Sequence, residues 1–250
     1  MKTKRLRIFA GPNGSGKSEL YQYLVSQHFF KPYFYVNADD IARSLPTGFS
    51  VLTWPVVASE EDFAAFLQKS SFLERLDYHA ATESLAVSNS SFIWGGAASQ
   101  LSYIAAAVAD YLRNKLLCSE SSFACETVFS HPSKLEFLRR ARESGFKVYL
   151  YFISTKNPLI NRNRVENRVH SGGHDVPPDK IERRYYKTMD NLFDAVKLSD
   201  KAFLFDNSES KESHSYLNFA NYNAESGRFS YTADTAPSWF SQYVLKRAGM

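Results

Sequence analysis

Residues Gly11-Pro12-Asn13-Gly14-Ser15-Gly16-Lys17-Ser18 match the pattern G-x-x-x-x-G-K-[ST]. The chemistry such a stretch can do is to hold a polyphosphate. Glycines let the backbone curl until successive N–H groups point at one cluster of anionic oxygens. The N-terminus of a following helix adds partial positive charge at the same place. Gly11, Asn13, Gly14, Ser15 and Gly16 are the loop residues expected around the phosphates. Lys17 is expected to reach the β- and γ-phosphates, and Ser18 to offer its hydroxyl to Mg²⁺.

Three further clusters suit phosphate chemistry. Asn37-Ala38-Asp39-Asp40 follows an aromatic, β-branched run, which places carboxylates at a strand end where open α/β sheets bind ligands. Adjacent side chains diverge, so one of Asp39 and Asp40 is expected to face the ligand while the other is free to cap the next helix. Glu126-Thr127 closes a second apolar run, and there an acid can hold Mg²⁺ through water or bind a substrate hydroxyl. Arg164 and Arg168, four apart, share a helix face, and Arg183, Arg184 and Lys187 open the next helix. Two helices bearing arginines around Gly172-Gly173 would make a lid over a triphosphate, neutralising charge on the transferring oxygens.

The elements that must position these residues are legible in outline. Leu6–Ala10 reads as a short buried strand, and apolar residues at helical spacing follow the glycine loop. Tyr33–Val36, Ser122–Cys125, Phe146–Ile153 and Ala202–Phe205 read as further strands, with helices over about 102–117, 133–144 and 178–198 between them. Gly145 stands where a helix C-cap glycine belongs. Strands alternating with helices imply an α/β three-layer sandwich around a parallel sheet. Residues 46–100 are expected to form a helical insertion, with Phe63, Phe66, Leu67 and Leu73 on one helix face and His79 in a structural role. Residues 209–250 form an extension without an assigned role, carrying Gly227 in a hairpin turn and an amphipathic segment from Trp239 to Leu245.

Composition narrows the classes. The chain has 250 residues, 44% hydrophobic and 15% aromatic, enough for one large domain with insertions. No run approaches the roughly 18 apolar residues of a membrane helix, and the basic Met1–Arg5 leads into a strand rather than a signal peptide. Two cysteines, Cys118 and Cys125, are too few for a disulfide framework and point to a cytoplasmic protein. A net charge of +4 suits phosphate-bearing ligands but argues against nucleic acid as the main partner, so a kinase of RNA ends is disfavoured.

Taken together, these motifs resemble the zeta-toxin-like P-loop kinases. The likeness runs over residues 6–208 in order: Ala10–Ser18, Val36–Ala42, Glu126-Thr127, Arg164-Val165 with Arg168-Val169, Gly172–Pro177, Arg183–Tyr185 and Asp206–Ser208. It implies a parallel five-stranded P-loop kinase sheet, ATP with Mg²⁺ as phosphoryl donor, a hydroxyl acceptor such as that of UDP-N-acetylglucosamine, and a small antitoxin as partner. It also implies roles: Lys17 and Ser18 on the phosphates and metal, Asp39 as base, Asp40, Glu126, Thr127 and Arg184 toward substrate or metal, and Arg164 and Arg168 as catalytic arginines. Three departures stand out. Glu19 occupies a place where the pattern has a second Ser or Thr, Asn37 occupies the place of the family's base, and the 46–100 insertion lies where the acceptor should dock. They leave an alternative from another class, a nucleotide-binding regulatory or interaction protein without transfer activity.

Overall fold

The computed structural model describes residues 3–32, 34–74, 76–170, 176–209, 216–233 and 235–249. In chain order the elements are β1 (Arg5–Ala10), α1 (Lys17–Ser26), β2 (Phe34–Val36), α2 (Ala38–Ser44), β3 (Phe49–Ser50), α3 (Glu60–Gln68), α4 (Tyr78–Ser84), β4 (Leu85–Ser88), β5 (Ser91–Trp94) and α5 (Leu101–Leu117). There follow β6 (Phe123–Thr127), α6 (Ser133–Glu143), β7 (Lys147–Ser154), α7 (Pro158–His170), α8 (Pro178–Lys197), β8 (Lys201–Asp206), β9 (Leu217–Asn223) and β10 (Arg228–Tyr231). Residues 1–33 with 124–250 form one unit and residues 34–123 a second.

In the first unit the strands lie in the order β10-β9-β8-β7-β1-β6. β1 pairs with β7, and β7 with β8, in parallel, so that Phe9, Tyr151 and Phe203 stand at matched positions. Their rings stack across the sheet at centroid separations of 4.8 and 4.9 Å. Tyr21 of α1 meets Phe9 edge-on at 5.1 Å, which ties the helix after the glycine loop to the strand before it. Gly145 ends α6 with φ +80, a conformation that costs other residues a clash at Cβ.

The resemblance implied a parallel five-stranded sheet, and the sheet is mixed. β9 runs antiparallel to β8, and β10 antiparallel to β9, with Gly227 (φ +66) in the hairpin turn. The extension therefore adds to the sheet. It buries Phe219, Ala220 and Tyr222, and Trp239 and Phe240 close over Phe219 at 5.4 and 5.3 Å.

The second unit carries more than the helices expected for residues 46–100. Helices α3 and α4 are there, but so is a three-stranded antiparallel sheet in the order β3-β5-β4. Its hairpin turns at Asn89 and Ser90, with φ +49 and +55. Two consecutive positive φ values mark the turn whose twist suits a two-residue hairpin. Alternate residues Leu85, Val87, Phe92 and Trp94 are buried. Phe92 packs with Phe63 of α3 and Tyr111 of α5 at ring separations of 6.1 Å each.

Candidate phosphate-binding site

The loop between β1 and α1 is held by close backbone approach from two neighbouring elements. A Cβ on Gly11 would lie 2.0 Å from the Ile153 carbonyl oxygen of β7, and one on Gly14 (φ +71) 2.5 Å from the Asn161 carbonyl oxygen of α7. Gly16 (φ +96) caps α1, and a Cβ there would meet Asn207 Nδ2 at 2.7 Å. Gly11 and Gly14 are thus required by the backbone beside them as well as by the turn, whereas Gly16 meets only a side-chain end and is favoured by its positive φ. The loop carbonyls are held from outside: Asn161 Nδ2 donates to Asn13 O at 2.6 Å, and Asn207 Nδ2 to Ser15 O at 3.0 Å. Asn207 is itself fixed by its N–H to Ser154 O at 2.8 Å.

At the loop's end Lys17, buried, donates from Nζ to Pro12 O at 2.9 Å. Ser18 Oγ donates to Glu126 Oε2 at 2.8 Å, while Glu126 Oε1 lies 3.8 Å from Lys17 Nζ. A hydroxyl and a carboxylate this close form a hard oxygen pair of the kind Mg²⁺ takes beside nucleotide phosphates, so the residues fit that ion. Asn13 Oδ1, Ser15 Oγ and Arg164 Nη1 are buried without hydrogen-bond partners. Such groups are costly unless something satisfies them.

Arg164 and Arg168 both lie on α7, with Arg164 half-buried and Arg168 exposed. Arg184 is half-buried on α8. Val165 of α7 packs with Val176 and with Ile181 of α8. Residues Ser171–Asp175, which include Gly172-Gly173, lie outside the described residues. Thr127 Oγ1 accepts from Phe129 N at 3.4 Å, in a turn where Phe129 takes φ +65. Glu19 is exposed, and its Oε2 lies 3.7 Å from where a Gly16 Cβ would be. The Tyr216 hydroxyl is pushed up to about 12, chiefly by burial and further by Glu19, with Arg164 opposing. Its ring lies 5.4 Å from Tyr23, one turn beyond Glu19 on α1.

Asp39 and Asp40 belong to the second unit, in the first turn of α2. Neither caps the helix. Asn37 does, its Oδ1 accepting from Asp39 N at 2.9 Å. Asp39 is exposed. Asp40 pairs with Arg43, and its carboxyl is pushed above the usual range mainly by burial, with Arg43 opposing and Asp39 adding to it. Sequence reasoning missed Asn161 and Asn207 as neighbours of the loop and Tyr216 as a neighbour of α1. Asn207 lay in a quoted motif without a role, and the other two carry no local signal.

No family model matches the chain. An uncharacterized protein of Haemophilus influenzae is 36% identical over 63 residues, a stretch covering 25% of this chain and 45% of that protein. Among solved structures, the AvrRxo1-ORF1:AvrRxo1-ORF2 complex with ATP contains a chain similar at a TM-score of 0.56 and 16% identity, over 92% of this chain and 61% of that one. The native form of that complex gives the same values. A structure from the PezAT chromosomal toxin–antitoxin system of Streptococcus pneumoniae matches at a TM-score of 0.52 and 11% identity, over 98% of this chain and 80% of the other. The chain thus shares the α/β fold of these solved structures, and it spans less than two thirds of the AvrRxo1 chain and of the Haemophilus protein. No helix among the described residues is long and apolar enough to cross a membrane.

Proposed function

We propose that the protein is an ATP-dependent kinase that transfers the γ-phosphoryl group to a hydroxyl of a small molecule. The observation that carries this reading is the convergence of Lys17 and Ser18 on Glu126 at the end of a glycine loop braced on both sides. In this reading the loop N–H groups and Lys17 hold the phosphates, and Ser18 and Glu126 hold Mg²⁺. That ion supplies neutralisation of charge on the phosphoryl oxygens. Arg164, with a buried unpartnered nitrogen, and Arg168 serve as cations of a lid over the triphosphate, with Arg184 on the acceptor side.

The acceptor oxygen attacks the γ-phosphorus, its proton passes to the Asp39 carboxylate, and ADP leaves. Asp39 is the assigned base because Asn37, whose amide oxygen is used as a helix cap, takes no proton. Asp40 and Thr127 are assigned to acceptor binding. A sugar nucleotide such as UDP-N-acetylglucosamine is the first acceptor to test, and a small antitoxin is the proposed protein partner. The toxin–antitoxin setting of the PezAT structure supports that partner. The two free cysteines suit a cytoplasmic site of action.

The test incubates the protein with γ-labelled ATP and Mg²⁺ beside a panel of sugar nucleotides, dinucleotides and RNA, and follows the label. Transfer to a small hydroxyl acceptor is expected. ATP binding with no transfer to any acceptor would instead favour the regulatory reading. Asp39→Asn is expected to lower turnover by about a hundredfold, the usual scale for a general base, with ATP affinity unchanged. Normal turnover in that variant would remove Asp39 from the mechanism.

A further inference from the structure

The glycine loop is tied to α8 by a buried polar chain that the phosphate chemistry itself does not use. Tyr185, Thr155 and Asn161 are all buried. Tyr185 OH donates to Thr155 O at 2.6 Å, Thr155 Oγ1 donates to Asn161 Oδ1 in a short hydrogen bond, and Asn161 Nδ2 donates to Asn13 O at 2.6 Å. Burial pushes the Tyr185 hydroxyl up to about 12, so it remains a donor across the physiological range. Thr155 O accepts from Tyr185 OH and also from Ser154 Oγ at 3.3 Å, Thr155 Oγ1 faces both Asn161 Oδ1 and Asn157 O (3.1 Å), and the Asn161 amide is oriented with its nitrogen on Asn13 O. Asn161 also presents its own carbonyl oxygen to Gly14, where a Cβ would come within 2.5 Å. The same residue therefore touches the loop through its side chain at Asn13 and its backbone at Gly14.

We infer that Asn161 is a positioning residue for the phosphate loop, and that Tyr185 and Thr155 act through it, so the segment of α8 carrying Arg183 and Arg184 is mechanically joined to the loop. This rests on the kinase reading for its consequence in turnover, but not for its physical content. Asn207 is a second brace. It reaches Ser15 O from the end of β8, and its own N–H donates to Ser154 O, while Ser154 Oγ donates to Thr155 O of the first chain at 3.3 Å. Members of one hydrogen-bonded chain should not fail independently.

The primary readout is amide hydrogen exchange of residues 13–18 in the full chain without nucleotide, which needs no enzyme activity. Asn161→Ala is expected to speed that exchange by about tenfold, the scale of one net hydrogen bond, and Tyr185→Phe, which keeps the buried ring, by about threefold. The double variant should match Asn161→Ala alone. Calorimetry with Mg·ATP then tests the consequence: Asn161→Ala should weaken binding, and in turnover should raise KM for ATP more than it lowers kcat. Unchanged loop exchange in Asn161→Ala, or multiplicative effects of Asn161→Ala and Tyr185→Phe, would overturn the chain. If the native protein does not bind ATP while the exchange pattern holds, the kinase reading fails and the brace stands.

Discussion

Lys17→Ala is expected to lower γ-phosphoryl transfer by about 10³-fold, the scale on which removal of a transition-state charge partner acts. The ammonium sits in a buried position, held back across the loop by its hydrogen bond to Pro12 O. Its loss does more than delete one cation. Glu126, whose side chain is 10% exposed, lies 3.8 Å from Nζ and would then face the incoming triphosphate without that cation beside it. ATP affinity should therefore fall together with turnover, in contrast to Asp39→Asn. Adding Glu126→Gln to Lys17→Ala removes the repulsion and should restore part of the affinity but none of the turnover. Calorimetry with Mg·ATP and steady-state label transfer separate the two quantities. A single Lys17→Ala variant turning over within tenfold of the native rate would refute the assignment of Lys17.

That contrast shows what a sequence reveals of such a site. The loop was legible because its signature is local: eight consecutive residues carry the glycines, the cation and the hydroxyl. Of the acids expected at strand ends, Glu126 stands beside Ser18 and Lys17, whereas Asp39 and Asp40 lie in the first turn of α2. The braces were not legible. Asn161 and Asn207 reach the loop across 148 and 192 residues of chain, and an asparagine has no spacing rule that points to a partner so distant.

The same limit hid two parts of the fold. β9 reads Leu-Asn-Phe-Ala-Asn-Tyr-Asn, and its three asparagines, poor strand formers, mask a run that buries Phe219, Ala220 and Tyr222. In the insertion the signal was present but misread. Leu85–Ser88 and Ser91–Trp94 alternate around Asn89-Ser90, a two-residue hairpin written with Ser where glycine is the commoner choice. The Asn37 departure resolves differently. Its carboxamide suits a helix cap as well as a carboxylate would, and it takes no proton.

Gly11→Ala is expected to be the most destabilising single change in the loop, because the added carbon has nowhere to go. It would lie 2.0 Å from Ile153 O and 3.1 Å from the Ile153 carbonyl carbon, both backbone atoms of β7, the parallel neighbour of β1. A side-chain neighbour could rotate away, but a strand cannot move without breaking its ladder. The expected cost is about 3 kcal/mol, at the upper end for overpacking a rigid site, or a fall in Tm of roughly 10 °C for a domain of this size. Gly227→Ala is the control. It also has positive φ, +66, but a Cβ there meets nothing within 4 Å, so it should cost only the roughly 1 kcal/mol of left-handed backbone strain. Thermal unfolding of the two variants, with ATP affinity measured below the transition, decides between close approach and dihedral preference. Equal losses would mean that the loop glycine is kept for its backbone angles alone. The larger loss at Gly11, with ATP binding lost beside it, would mean that the loop is held by the pressure of β7 against its first residue.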